Sequence, residues 1–189
     1  MNSLSRYFFL KAQAFFLLLS GQKRAALARF DAMLLLAPNS RYAMASRAHL
    51  LAVSGDKHGA ASTLETLVNS HPGDCAAWFN LGYLLNDAGR LEAAEHAFRR
   101  AKELAPGMDR AWYGLGLVLI RQRRFDEAVC VLTRNTELQP MSPFGWYQLA
   151  RVQIERQQTD AALKIIGHLK GFEPKVAAQL ERETGLTWN

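Results

Sequence analysis

Five of the six prolines in this 189-residue chain fall on one lattice: Pro38, Pro72, Pro106, Pro140 and Pro174, each 34 residues from the next. Other residue types keep the same step. A small residue recurs at Ala14, Ala48, Gly82, Gly116 and Ala150. A second recurs at Ala26, Ala60, Ala94, Ala128 and Ala162. Four residues after the second comes a bulky apolar one: Phe30, Leu64, Phe98, Leu132 or Ile166. Tryptophan holds the step over the second half, at Trp78, Trp112 and Trp146. A fixed period of this length means a structural repeat that buries its apolar face only by stacking on its neighbours.

The residue types say what each repeat is. Proline lacks an amide donor and restricts its predecessor, so it ends a helix. Gly21, Gly55 and Gly89 lie midway between prolines, where a residue of positive φ closes one helix and lets a second begin. Arg123 and Gln157 stand there in the last two periods, which predicts either altered turns or strain. Each period is therefore two antiparallel helices, A and B. Small residues at their crossing allow close approach, and Trp, Leu and Phe fill the surrounding space.

Trp78, Leu81, Gly82, Leu85, Gly89, Ala94, Phe98, Ala101 and Pro106, with their equivalents 34 and 68 residues on, resemble the tetratricopeptide repeat (TPR) family. The resemblance implies an all-α right-handed superhelical solenoid of five helix-turn-helix repeats plus a C-terminal capping helix. The five repeats, within 1–176, are 7–40, 41–74, 75–108, 109–142 and 143–176. The first two are degenerate, with Leu10 and Met44 in place of Trp and Gln13 and Arg47 in place of Leu. Residues 175–189 are expected to form the capping helix, from Lys175 to Thr184, and a tail in which Leu186 and Trp188 fold back or fray.

Composition narrows the function. A hydrophobic content of 49% with 21% charged residues is that of a folded chain. Net charge is +6, and it is uneven. Residues 1–72 hold eight Lys or Arg against three Asp or Glu, and residues 73–189 fifteen against fourteen. Basic character of this kind draws nucleic acid, anionic lipid or an acidic protein. The apolar run from Tyr7 to Leu19 is interrupted by Lys11 and Gln13 and is too short to span a bilayer. Ser20-Gly21-Gln22 is a poor cleavage site, and the expected location is cytoplasmic. Cys75 and Cys130 lack metal-ligand spacing and are expected as reduced thiols. Sixteen arginines against seven lysines fit a GC-rich bacterial genome.

No HExxH, Cys-x-x-Cys, P-loop or GxSxG pattern is present. Gly114-Leu115-Gly116 lies inside an expected helix with no strand before it, so it is not a dinucleotide fingerprint. The chain is expected to be no enzyme and to carry no catalytic residues, no cofactor and no metal.

In the TPR family, helix A lines a concave groove that holds a segment of another protein. Carried onto this chain, the resemblance places Lys11, Phe15, Tyr42, His49, Phe79, Asn80, Tyr83, Asn86, Arg110, Tyr113, Arg121, Phe144, Tyr147 and Arg151 in that groove. Aromatic, amide and arginine side chains are the types favoured at protein interfaces. The expected ligand is an apolar, acidic segment of a partner protein bound by an adaptor, scaffold or assembly factor. Chaperone-binding members clamp a terminal carboxylate, and Ala45, His49, Asn80, Arg110 and Gly114 stand at those positions here. Only Asn80 keeps the residue type, with Arg110 supplying a cation for lysine, so a general peptide groove is expected instead. Two alternatives remain at this point. One is an RNA-binding helical repeat. The other is self-association through Phe9 and Phe16, the face of the first helix that a preceding repeat would otherwise cover.

Overall fold

A computed structural model describes residues 2–188. Met1 and Asn189, the outermost residues of the expected repeat array and tail, lie outside the described residues. The described residues form eleven α-helices and no strand: α1 (Ser3–Leu19), α2 (Lys23–Leu36), α3 (Arg41–Val53), α4 (Lys57–Ser70), α5 (Cys75–Asp87), α6 (Leu91–Leu104), α7 (Asp109–Arg121), α8 (Phe125–Leu138), α9 (Pro143–Glu155), α10 (Thr159–Phe172) and α11 (Pro174–Thr184). The architecture is the all-α helical-hairpin solenoid class. The chain divides into two compact units, Met1–Ala88 and Gly89–Asn189, so α5 belongs to the first and α6 to the second.

In the first unit each helix packs on its successor from α1 to α5. Ala14 and Ala26, both fully buried, mark the α1–α2 crossing, and Phe30, Met33 and Leu10 fill the space around it. Leu10 and Met44, which replace tryptophan, are buried. Arg47 replaces leucine and is half-buried. It donates to Asp31 at 2.7 Å and to the hydroxyl of Thr63, so a polar tie joins α2, α3 and α4 where an apolar contact was expected.

In the second unit the same succession runs from α6 to α11, and α11 also touches α9. Gly116 allows the α7–α8 crossing to close: a Cβ there would lie 2.6 Å from Leu132 Cδ2. Arg124 donates to Glu95 at 2.7 Å and to Glu127 at 2.7 Å, joining α6 to the start of α8.

The A–B turns keep one geometry whatever the residue. Gly21 and Gly55 are left-handed, at φ +74° and +91°. Arg123 and Gln157 take φ 59° and 60°. In each of these turns the amide of the left-handed residue donates three residues back, and the next amide five back, as Arg124 N to Leu119 O at 2.9 Å. This six-to-one bond is a Schellman closure. The turns do not alter to suit a non-glycine; the chain accepts the strain.

Two boundaries differ from the sequence frame. Helix α1 starts at Ser3, four residues early, because the Asn2 side chain caps it by accepting from the Ser5 amide at 2.8 Å. Helix α11 starts at Pro174 itself, with Glu173 alone between it and the end of α10, since proline at a first helical position costs no hydrogen bond.

The tryptophans hold the loops as well as the core. Trp78, Trp112 and Trp146 are half-buried. Each indole N–H donates to the carbonyl of the proline six residues earlier: Pro72 at 2.9 Å, Pro106 at 2.9 Å and Pro140 at 2.8 Å. At the chain's end Trp188 lies over Gly167, and Lys170 donates to its carbonyl at 2.7 Å. The tail is folded back.

Candidate interaction clefts

The first unit has a cleft of about 200 Å³ between α3 and α5. Its α3 side carries Ala45, Ala48, His49 and Ala52, and its α5 side Ala76, Ala77, Asn80, Tyr83 and Leu84. Leu64 and Leu67 of α4, both buried, lie beneath. The alanines create the space: at helical spacing they present one short-chained face to the other helix. The exposed His49, Asn80 and Tyr83 form a polar and aromatic rim above this apolar floor. Such a cleft can take an apolar side chain while an amide like Asn80 pairs with a peptide backbone.

Arg41 and Asp74 also line this cleft. Asp74 is buried and caps α5, accepting from the Ala77 amide at 3.0 Å, and its other oxygen accepts from Arg41 Nε at 2.5 Å. Burial pushes the Asp74 carboxyl up, but the Arg41 hydrogen bond, the Ala77 amide and the Arg41 charge outweigh it. The carboxyl therefore stays below its ordinary range.

The second unit brings Tyr113 of α7 together with Phe144, Tyr147 and Gln148 of α9, and Val176 and Gln179 of α11, around a cleft of about 270 Å³. Tyr147 is tied on one side: its hydroxyl donates to Glu183 of α11 at 2.6 Å. That bond pushes the Tyr147 phenol up and, with help from Gln179, holds Glu183 down. Arg151 lies 5.8 Å from the Tyr147 ring centre and, with Arg123 and Phe125, lines a further cleft between α7, α8 and α9.

The remaining expected groove residues are placed as follows. Lys11 Nζ sits 4.2 Å from the centre of the Tyr42 ring, and that ring meets Phe30 edge-on at 6.2 Å, so these two are engaged with their own unit. Phe15 is exposed and packs edge-on with Phe16 at 5.8 Å. Phe79 and Asn86 are half-buried, and Arg110 and Arg121 exposed. Phe9 and Phe16 are exposed.

Sequence reasoning missed the cleft's Arg41, Asp74, Ala52 and Ala77. The small-residue spacing on α3 and the acidic residue just ahead of α5 were the available signals. It also missed Val176, Gln179 and Glu183, since α11 was read only as an end cap. Among the described residues no group of three or more His, Cys, Asp or Glu side chains is placed to hold a metal ion, and no helix is long and apolar enough to cross a membrane.

The family model described as Tetratricopeptide repeat matches residues 46–109 and 94–143, together just over half of the chain. Among solved structures, the fold is similar to YrrB, described as a TPR protein with an unusual peptide-binding site: TM-score 0.80, 20% identity, covering 89% of this chain and 88% of YrrB. It is also similar to MamA, at TM-score 0.84 and 17% identity, covering 96% of this chain and 97% of MamA. PilF of Pseudomonas aeruginosa matches at TM-score 0.70 and 18% identity, over 98% of this chain and 95% of PilF. At these identities the likeness is one of fold. A comparison with curated proteins gave no match.

Proposed function

The chain belongs to the tetratricopeptide repeat family, and from that membership we propose that it is a non-enzymatic adaptor that holds a segment of a partner protein on its A helices. The observation that carries this reading is the α3–α5 cleft: an alanine floor roomy enough for one apolar side chain, rimmed by His49, Asn80 and Tyr83. The Tyr113–Phe144–Tyr147 cleft of the second unit offers the same chemistry with a larger aromatic share. In this reading the 34-residue periods from 7 to 176 are the repeats, and α11 caps the last.

The segment carries an apolar anchor and net negative charge. Residues 1–88 hold eight Lys or Arg against five Asp or Glu, so the unit that owns the α3–α5 cleft favours an anion. The free thiols of Cys75 and the exposed Cys130 fit a reducing, cytoplasmic setting.

A random peptide library displayed against the immobilised full chain tests the proposal. Recovered peptides should share an apolar residue beside acidic ones, and Tyr83→Ala should weaken their binding by about 1–3 kcal/mol. Recovered peptides with no such residues, or affinities unchanged by Tyr83→Ala with helicity intact, would remove the cleft from the function.

A further inference from the structure

We propose that the solvent-facing side of α1 seats this protein on the surface of an anionic phospholipid bilayer. Among the described residues, one side of α1 packs on the fold: Leu10 and Ala14 are buried, and Tyr7 and Leu17 half-buried against the same core. The other side carries Leu4, Phe8, Phe9, Phe15, Phe16 and Leu19, each more than half exposed, at 55–69%.

The width of this face argues for lipid. At ~100° per residue, these six side chains sweep about 140° of the helix circumference, where a packed helix face starts at about 100°. An apolar phase that wraps the helix covers the whole of such an arc. Lys11, at one edge, rests on the Tyr42 ring; Arg6, beyond the other edge, is exposed, and a long cationic side chain there reaches from apolar surface to headgroups.

Charge selects the sign of the surface. Of the first unit's eight cations, Arg41, Arg47 and Lys57 are each bound to a carboxylate of the same unit: Asp74, Asp31 and Asp87. The other five, Arg6, Lys11, Lys23, Arg24 and Arg29, all fall within the first thirty residues, which contain no Asp or Glu. Arg6, Lys23 and Arg24 are exposed. A second copy docked face to face on α1 would bring two such clusters together and be repelled. A bilayer with anionic headgroups is attracted, and it dissolves the phenylalanines. Helix α1 has 17 residues and Lys11 near its middle, so it lies on the surface and does not span it.

Flotation of the full chain with large unilamellar vesicles tests this, using phosphatidylcholine alone or with about 30 mol% phosphatidylglycerol. The chain should float with the anionic vesicles, stay behind with the neutral ones, and be released as salt rises. The variant Phe8→Ser/Phe9→Ser/Phe16→Ser changes only exposed side chains and should retain the helical circular dichroism. It should partition at least tenfold less, as should Arg6→Glu/Lys23→Glu/Arg24→Glu. No flotation, equal flotation on neutral vesicles, or undiminished flotation of the phenylalanine variant would overturn the proposal. So would a concentration-dependent doubling of mass in light scattering that the phenylalanine variant abolishes, because the face would then belong to a second copy.

Discussion

Asp74 holds the first turn of α5 with one carboxylate oxygen and the first residue of α3, Arg41, with the other. The side chain is buried although Arg41 is largely exposed, so the pair acts mainly through the cap and through what the carboxylate loses if unpaired. Replacing Asp74 by Ala removes a helix cap and should destabilise the chain by about 1–2 kcal/mol in urea unfolding. The pH dependence follows from the direction of its shift. The folded protein keeps this carboxyl below its ordinary value of 3.8. Its stabilising contribution is therefore complete above that value and is lost as pH falls through the lower folded value. Asp74→Ala should narrow the stability gap to wild type as pH drops below about 4. A gap independent of pH would show that the carboxylate charge is not what stabilises.

Gln157 occupies a left-handed turn without the freedom of glycine, at φ 60°, and Arg123 does so at 59°. A non-glycine residue there costs about 1 kcal/mol or more. Gln157→Gly should raise stability by about 0.5–1 kcal/mol, read as a rise of a few degrees in thermal midpoint. Arg123→Gly should gain less, because Arg123 lies 5.9 Å from the Phe125 ring centre and gives up that contact. A lower midpoint for Gln157→Gly would mean that its side chain contributes more than its backbone costs.

The 34-residue lattice made the helix order legible because proline, small residues and tryptophan each do one steric task per repeat. It announced Trp78, Trp112 and Trp146 as core fillers but not their bonds to the proline carbonyls, since a spacing of six links a helix to a loop and follows no helical period. The clefts were half legible. His49, Asn80 and Tyr83 stand out as interface types, whereas Ala45, Ala52 and Ala76 matter for the space they leave. Arg47, read as a defect in the pattern, proved to be a three-helix tie whose partners Asp31 and Thr63 are each sixteen residues away. Nothing local in the sequence couples residues so far apart.

Gly145 of α9 sits where no side chain fits. A Cβ there would lie 2.2 Å from Asn135 Oδ1, an atom of a buried amide whose nitrogen donates to the Asp109 carbonyl at 2.9 Å. Asn135 cannot swing aside without abandoning that bond, so Gly145→Ala should cost about 1–3 kcal/mol despite alanine's better helix propensity. Pairing it with Asn135→Ala should recover part of the loss, and the double-mutant cycle should show a coupling of about 1 kcal/mol. Strict additivity would mean that the helices separate locally and the clash is not real.

The indole bond from Trp112 to Pro106 separates what tryptophan does by size from what it does by its N–H. Phenylalanine at 112 keeps an aromatic ring in the half-buried site, along with a face for Lys102, whose Nζ lies 4.7 Å from the indole centre. It removes the donor to the Pro106 carbonyl. That carbonyl is at an exposed loop, where water replaces the indole, so the expected cost is about 0.5–1.5 kcal/mol for the bond, with a further loss from the smaller ring. Hydrogen exchange locates the effect. The amide of Met108, which donates to Ala105 across the same loop at 2.9 Å, should exchange faster in Trp112→Phe than in wild type. The matching amide of Ser142, in the loop held by Trp146, should not change. Equal acceleration at both amides would indicate general destabilisation and deny the indole a local role in holding its loop.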